Sequence, residues 1–182
     1  VYEPIRDLKY KFIGRPHIPG ETSKARDRRE HEGFFEKYCQ GLGLDIGFGG
    51  DPLTGNCTGW DFEHGDAQVL EGLQNETFDF VYSSHTLEHM RDPAVALKNW
   101  WRVIRPCGYL LLYIPHRDLY DKKLELPSRW NDDHKHFFLP ERDEPPDTLG
   151  LRPLIERSLS SFAIEYVKEC RDGWTIRAPE IH

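Results

Sequence analysis

The chain has 182 residues, of which 38% are hydrophobic and 30% are charged, and its formal net charge is −7 at pH 7. A chain of this length and composition can bury its own core, so we expect one domain over residues 1–182 that needs no metal or disulfide in order to fold. The acidic balance opposes a general nucleic-acid or anionic-membrane surface, because both need a basic face. We therefore predict neither a nucleic acid nor a membrane as a partner.

The cysteines and the hydropathy point to a cellular compartment. No two of the four cysteines form a CxxC pair, which disfavours a zinc knuckle and a disulfide framework and fits a reducing cytosol. No apolar run reaches transmembrane length, and the charged N-terminal residues are not typical of a signal peptide. We expect a cytoplasmic protein, and the sequence is compatible with a homo-oligomer.

Residues 1–40 are interpreted as an N-terminal cap and helix. An irregular stretch with Pro and Gly comes first, and a helical pattern runs from Ser23 to a stop at Gly41. Basic residues cluster in this segment, and we interpret them as the solvated face of a helix rather than a binding patch: Lys24, Arg26, Arg28 and Arg29.

Residues 44–50, with the sequence LDIGFGG, predict a buried first strand at about 43–47 that runs into a sharp turn. Glycine tolerates φ > 0 and has no Cβ to hold a ligand away. Open α/β sheets bind nucleotide-like ligands at the carboxyl ends of parallel strands. A tight turn without a ligand would also select glycine, so the motif alone leaves both interpretations open.

The next elements alternate between strand and helix. Strands are predicted at Thr58–Phe62 and Phe78–Ser84, and Asp92 with Pro93 supplies an N-cap and a first-turn proline. The helix that follows carries an apolar stripe and is ended by residues 106–108. The stripe consists of Ala94, Leu97, Trp101 and Ile104. The apolar run Tyr109–Pro115 is typical of a parallel strand that is covered on both faces.

The C-terminal third changes character. Residues 116–147 are rich in charge, His and Pro and predict a long acceptor-side loop, and a helix is expected at about 148–159. Strands at Phe162–Lys168 and Trp174–Arg177 would then close the chain in a hairpin. The predicted fold is α/β and Rossmann-like, with a mostly parallel sheet, helices on both faces and an antiparallel C-terminal edge strand.

Five segments occur in one order: LDIGFGG at 44–50, GWD at 59–61, HGDAQ at 64–68, FDFVYSSHTLEHMRDP at 78–93 and RPCGYLLLYIPH at 105–116. Over residues 41–116 this order resembles the class I S-adenosylmethionine-dependent methyltransferases, in particular their small type 11 branch. The resemblance implies S-adenosylmethionine as the cofactor. It also implies these cofactor-binding residues: Asp45, Gly47, Phe48, Gly49, Gly50, Asp61, Phe62, Asp66, Ala67, Ser83, Ser84 and His85.

Several of these assignments have alternatives. Asp45 would anchor the turn or meet the cofactor's amino group through water, while Asp61 and Asp66 could be ordinary turn residues. Asp45 and Asp61 are only sixteen residues apart and residues 51–56 do not look helical, so the helix that the family places there is expected to be lost or reduced to a turn. This departure leaves Glu63 as a rival to Asp61 for the ribose.

His85 and His89 flank Glu88 at a spacing that resembles a metal-binding motif. HTLEH is not HExxH, however, and histidines at this spacing also occur where helices begin. We therefore predict no metal.

Methyl transfer to a hydroxyl or an amine requires removal of a proton, and histidine suits this task near neutral pH. We predict His134 or His136 as the base, with His116 as a further candidate beside Arg117 and Tyr120 on the acceptor side. These histidines could instead only tie the long loop to the sheet.

Cations and an aromatic side chain in the same loop suit an anionic or sugar acceptor: Arg117, Arg129, Lys135 and Trp130. We expect a small-molecule acceptor, such as a sugar or sugar-nucleotide of glycan biosynthesis. Two other functions stay open. One is a non-catalytic S-adenosylmethionine-binding module that serves regulation or interaction. The other is an NAD-type dinucleotide-binding oxidoreductase, against which the missing third glycine and the HGDAQ segment speak.

Overall fold

A computed structural model describes residues 20–171 of the chain. Its main sheet has four strands in the order β2-β1-β3-β4, namely β1 (Gly43–Ile46), β2 (Cys57–Trp60), β3 (Phe78–Ser84) and β4 (Ile104–Tyr113). All three pairings between neighbouring strands are parallel. The predicted parallel sheet is confirmed.

Burial in the sheet follows the position of each strand. Every residue of β1 is buried, because β1 lies between two strands and is covered on both faces. Along β3, Phe80 and Tyr82 belong to one hydrophobic cluster and Val81 to the other, as the alternation of a strand requires. Strand β4 lies at an edge of this sheet, so Tyr109–Tyr113 are half-buried and not fully covered as predicted.

One face of the sheet is covered by α4 (Pro93–Arg102) and α5 (Leu151–Ser158). Asp92 caps α4 by accepting hydrogen bonds from the amides of Ala94 and Val95. The buried side of α4 consists of Ala96, Leu97 and Trp100, which pack in one cluster with Leu44, Ile46 and Val81. The predicted stripe is displaced, because the helix ends at Arg102 and Ile104 already belongs to β4.

Three short helices cover the other face where one helix was predicted: α1 (Glu21–Lys24), α2 (Arg26–His31) and α3 (Phe34–Tyr38). The break before α3 falls at Gly33, which has a φ of 63°. Aromatic side chains of α3 pack on the cluster that contains Phe80 and Tyr82. Both faces of the sheet therefore carry helices, as expected.

Arg29 corrects the interpretation of the basic cluster as a solvated face. It is only 4% exposed, and its guanidinium donates to Tyr82 Oη at 2.7 Å and to the Thr22 carbonyl oxygen at 3.1 Å. The same guanidinium lies over the ring of Tyr113, 5.1 Å from its centroid. Aromatic rings and a hydroxyl on the sheet supply the partners that a buried cation needs.

No helix connects β1 to β2 in the part of the chain that the structure describes. Residues 47–56 form turns, in which only Leu53 is fully buried. The expected loss of this helix is confirmed.

The predicted loop at 116–147 contains a π-helical turn (Arg117–Asp121) and β5 (Phe137–Leu139), which pairs in parallel with β6 (Thr148–Gly150). His116 bridges to Phe138, so β5 lies beside the chain that leaves β4. This pairing folds the loop back over the carboxyl end of the main sheet.

The predicted strand at Phe162–Lys168 is wrong. The segment has no regular structure, and all of its residues are half-buried or exposed, because it pairs with no strand edge within residues 20–171. The second expected strand, Trp174–Arg177, lies outside the described residues, so no antiparallel edge is seen. Within the described range, no helix combines the length and apolar character needed to cross a bilayer.

Candidate active site

The site lies where the direction of strand order changes. From β1 the chain passes to β2 on one side and then to β3 on the other, so the carboxyl ends of β1 and β3 meet at a topological switch point. Ligands of open α/β sheets bind in this crevice. The glycine turn after β1 and residues Ser83–His85 at the end of β3 therefore come together, as the sequence predicts.

The three glycines of the turn serve different purposes. Gly47 has a φ of 74°, and a Cβ placed there would lie 2.0 Å from Thr86 Oγ1, so glycine is required by the packing of the turn. Gly49 and Gly50 have φ values of 56° and 79°, and a Cβ on either would meet no atom within 4 Å. Their backbone thus borders open space, which is the property of a ligand cradle.

Asp61 fastens this turn from the end of β2. Its Oδ2 accepts a hydrogen bond from the Gly49 amide at 2.9 Å, and its Oδ1 accepts one from the Phe62 amide at 2.9 Å. A carboxylate has lone pairs left after two such bonds, so Asp61 can still accept hydrogen bonds from ribose hydroxyls. Its rival Glu63 has a side chain that is 67% exposed and lies 3.9 Å from His64 Nδ1.

Of the predicted cofactor residues after β2, Asp66 is exposed and Ala67 is half-buried. Asp66 Oδ1 accepts a hydrogen bond from the Gln68 amide at 2.8 Å, so this residue does form the turn that was its alternative interpretation. The Ala67 carbonyl accepts the indole N–H of Trp100 at 2.7 Å. Phe62 is 96% exposed, which leaves an aromatic face open at this edge.

Three predicted cofactor residues make contacts within the protein. Asp45 is fully buried, and its Oδ2 accepts the Leu53 amide at 2.7 Å, which supports its role as an anchor of the turn. Burial raises the pKa of Asp45 to about 7. Ser83 Oγ donates to the Ile46 carbonyl at 3.1 Å, and the ring of Phe48 occupies the space that a Cβ on Gly59 would fill. Ser84, the last residue of β3, is buried beside them.

These residues fit the cofactor that the sequence implies. Gly49 and Gly50 leave room for close approach, Asp61 offers acceptors, and Phe62 offers an uncovered ring. The ribose hydroxyls of an adenosine could donate to Asp61, and its flat base could lie against the ring of Phe62.

A second group of side chains adjoins this edge, and we name it the imidazole–carboxylate cluster. It comes from the end of β3, the turn at Leu87–His89, the π-helical turn and the loop before β5. Its members are His85, Glu88, His89, Asp121 and His134.

Glu88 is the centre of the cluster. It is fully buried, and neither carboxylate oxygen has a hydrogen-bond partner within residues 20–171. Its Oε1 lies 3.8 Å from His85 Nδ1, 3.8 Å from His134 Nε2 and 3.9 Å from His89 Nε2. Burial raises the pKa of Glu88 to about 8.

The outer ring nitrogens of two histidines face aspartates. His89 Nδ1 lies 2.9 Å from Asp133 Oδ2, and His134 Nδ1 lies 3.2 Å from Asp121 Oδ1. His85 differs from both, because its ring lies near Tyr113 and Tyr120 and its φ is 50°. Positive φ is uncommon for a residue with a side chain and is typical of functional sites. Burial lowers the pKa of His85 to about 4, so its imidazole is neutral at physiological pH.

Of the three predicted catalytic histidines, only His134 joins the cluster. His116 Nδ1 accepts the Asp118 amide at 3.1 Å and caps the π-helical turn. His136 interacts with the backbone of Met90 and Arg91, and burial lowers its pKa. Both have the contacts of residues that tie the loop to the sheet, which was the alternative interpretation.

The cationic side chains expected at the acceptor are also engaged. Arg117 is buried and pairs with Asp118 at 2.6 Å and with Glu144. Lys135 Nζ lies 2.9 Å from Asp133 Oδ1, and Arg129 donates to the Lys122 carbonyl at 3.1 Å. Trp130 is 56% exposed, so its ring remains open to a ligand.

The sequence analysis underestimated Glu88 and His89 and missed Asp121. The HTLEH motif was the available signal for the first two. Asp121 carried none, because its contact with His134 spans thirteen residues of irregular chain.

Comparisons with known proteins gave one family match and partial similarity to solved structures. Residues 29–112 match the family described as "Methyltransferase domain", and no curated protein matches the chain. One similar solved structure is an S-adenosylmethionine-dependent methyltransferase from Thermotoga maritima, described as a possible histamine N-methyltransferase. Its identity is 21% and its TM-score 0.34, over 52% of this chain and 60% of that one.

Another solved structure with partial similarity is a complex from Haloferax volcanii between the Trm112 methyltransferase activator and a putative methyltransferase. The identity is 12% and the TM-score 0.34, over 54% of this chain and 62% of that one. The matches thus span 60% and 62% of the two solved chains.

Proposed function

We propose that this protein is a class I S-adenosylmethionine-dependent methyltransferase that methylates a hydroxyl or an amine of a small molecule, and the match of residues 29–112 to the methyltransferase family supports this. The cofactor of this class is S-adenosylmethionine, and when bound it supplies a methyl group that is already activated on a sulfonium sulfur. The protein has to orient the acceptor and take up its proton.

One observation carries the proposal: the carboxyl end of β3, which lies beside the glycine turn, leads directly into the imidazole–carboxylate cluster. Ser83 and Ser84 end β3 beside the glycine turn, and the next residue, His85, already belongs to the cluster. Open glycine backbone close to three imidazoles suits transfer to a nucleophile that must lose a proton.

Within the cluster, His134 is our candidate for holding that proton, and His116 and His136 remain weaker candidates because of their structural contacts. The Asp121 carboxylate beside His134 Nδ1 favours a tautomer with the proton on Nδ1, so Nε2 would be the accepting atom.

For the acceptor we propose a sugar or sugar-nucleotide of glycan biosynthesis. The exposed ring of Trp130 gives a face on which a sugar could stack, and Arg129 and Lys135 lie within the same loop. We further propose a cytoplasmic protein without a nucleic-acid or membrane partner. The free thiols of Cys39, Cys57, Cys107 and Cys170 suit a reducing compartment.

Calorimetric titration with S-adenosylmethionine and with NAD⁺, followed by incubation with sugar-phosphate and nucleotide-sugar pools and labelled S-adenosylmethionine, tests the proposal. We expect binding of the first cofactor only, and label in a sugar. Binding without labelling of any metabolite would favour a regulatory module, and binding of NAD⁺ alone would favour an oxidoreductase. Label in a metabolite without a sugar would overturn the proposed acceptor and retain methyl transfer.

His134→Asn separates catalysis from binding. Turnover should fall by about 100-fold or more, as expected for loss of a general base, while affinity for S-adenosylmethionine stays within about twofold. His31→Asn is the control, since His31 is exposed on α2 and its Nδ1 lies 2.6 Å from the Asp27 carbonyl of the same helix. Equal turnover in the two variants would remove His134 from the mechanism.

A further inference from the structure

We propose that Glu88, His89 and His134 form a binding site for one divalent first-row transition-metal ion of the zinc type. Each of these residues offers one ligand atom, and the three atoms lie within 4.8 Å of one another. This inference reverses the prediction from the sequence that the protein binds no metal.

The spacing of the ligand atoms suits a shared ion. Glu88 Oε1 lies 3.9 Å from His89 Nε2 and 3.8 Å from His134 Nε2, which is too long for a hydrogen bond. Two atoms bound to one zinc ion at about 2.1 Å are about 3.4 Å apart in tetrahedral geometry. Each carboxylate–imidazole distance would have to shorten by about 0.4–0.5 Å, and the distance between the two imidazole nitrogens, which is within 4.8 Å, by up to about 1.4 Å, so side-chain rotations would close the site.

The Glu88 carboxylate needs a partner that residues 20–171 do not supply. Its side chain is 0% exposed, and both oxygens lack a hydrogen bond. Buried carboxylates are normally paired, protonated or bound to a metal, because an isolated buried charge is costly. A cation held between Glu88 and two imidazoles would satisfy the carboxylate.

The surroundings of both histidines are those of metal ligands. His89 Nδ1 faces Asp133 at 2.9 Å and His134 Nδ1 faces Asp121 at 3.2 Å. Asp121 is itself held by the hydroxyl of Ser128. Carboxylates on the outer nitrogen fix the tautomer and raise the basicity of a ligating histidine. His89 has such a hydrogen bond, which leaves its Nε2 as a lone pair toward Glu88, whereas His134 Nδ1 has the Asp121 carboxylate nearby but no hydrogen bond to it.

The donor set selects the class of ion. Two imidazoles and one carboxylate are the protein ligands of many catalytic zinc sites, which keep a fourth position open. Magnesium and calcium prefer oxygen ligands and are disfavoured here. If the proposed function holds, an acceptor hydroxyl would take the open position, where the ion would lower the pKa of that hydroxyl. A metal-bound His134 Nε2 cannot also accept a proton, so the ion would replace His134 as the means of activation.

Co²⁺ is the probe, because it gives visible absorption in zinc sites and can be displaced by Zn²⁺. The full chain without an affinity tag is treated with a chelator and titrated in the absence of S-adenosylmethionine. We expect one Co²⁺ per folded chain, displaced by Zn²⁺ and not by Mg²⁺. Since the titration needs neither cofactor nor acceptor, its result is independent of whether methyl transfer occurs.

Glu88→Gln and His134→Asn should weaken Co²⁺ binding by about 100-fold or more, and Asp133→Asn by about tenfold. Asp133 is exposed, so its variant tests the site even if the buried variants fail to fold. His136→Asn is the matched control, with a neighbouring histidine that faces the Met90 and Arg91 backbone. Absence of Co²⁺ binding by the folded protein, or equal binding by the wild type and the folded site variants, would overturn the metal site.

Discussion

The Gly49 amide donates a hydrogen bond to the Asp61 carboxylate across 2.9 Å, which joins the turn after β1 to the end of β2. This bond replaces part of the support that a connecting helix would give, since residues 47–56 contain none. Asp61 thus holds the cradle in shape and presents acceptors at its edge.

Replacing Asp61 should therefore weaken cofactor binding. In Asp61→Ala the turn loses its fastening and the ribose its acceptor, so we expect the Kd for S-adenosylmethionine to rise on the order of 10–100-fold, or about 1.4–2.8 kcal/mol. Isothermal titration calorimetry measures it. Glu63→Ala is the matched control and should change Kd by less than about twofold, since its carboxylate is exposed. The reverse ranking would assign the ribose to Glu63.

Two glycines of the same turn should separate folding from binding. In Gly47→Ala the new methyl group would overlap Thr86 Oγ1, which donates to the carbonyls of Ile46 and Ser84 and cannot move away freely. This overlap and the positive φ should together lower the free energy of unfolding by about 3 kcal/mol or more and lower Tm by about 6–12 °C.

Gly50→Ala has room for its methyl group, so only the positive φ opposes it, at about 1–2 kcal/mol. Its Kd for S-adenosylmethionine should nevertheless rise at least about tenfold, because the methyl group would enter the cradle. Thermal unfolding of both variants measures the loss of stability, and calorimetry measures the change in Kd for S-adenosylmethionine. If Gly50→Ala binds like the wild type, the open space beside Gly50 does not hold the cofactor.

The buried carboxyl of Asp45 should make stability depend on pH. Its folded pKa is raised to about 7 from 3.8, so the folded protein keeps a proton that the unfolded chain releases. Stability contributed by this group is present below pH 3.8 and is lost as pH rises toward 7. Each pKa unit corresponds to about 1.4 kcal/mol.

Asp45→Asn cannot titrate and provides the comparison. The free energy of unfolding of the wild type minus that of Asp45→Asn should fall by a few kcal/mol between about pH 4 and 7 and stay constant above. Urea unfolding of both proteins at a series of pH values gives this difference, in which the other titrating groups cancel. Parallel profiles would mean that Asp45 is charged in the folded protein.

Some parts of the fold could be predicted because residues close in sequence determine them. The glycine turn, the strands β1 and β3 and the cap of α4 are each set by neighbouring residues: small residues where φ is positive, apolar residues where a strand is covered, and an aspartate before a proline. The loss of the helix between β1 and β2 was equally visible, since residues 51–56 lack a helical pattern.

Other features could not be predicted because they depend on partners that are distant in sequence. The burial of Arg29 depends on Tyr82, fifty-three residues away, and the failure of Phe162–Lys168 as a strand depends on the absence of a pairing edge within residues 20–171. Neither partner can be identified from the pattern around the residue itself.

The sequence by itself determined the parallel α/β sheet and the glycine turn after β1, because both depend on the order and periodicity of short segments. Only the tertiary structure decided which histidines meet. It brought His134 and Asp121 to Glu88 while His116 and His136 took contacts with the loop and the backbone. The reason is physical: an irregular loop has no periodicity that fixes where its side chains point, so its folding over the sheet determines their neighbours.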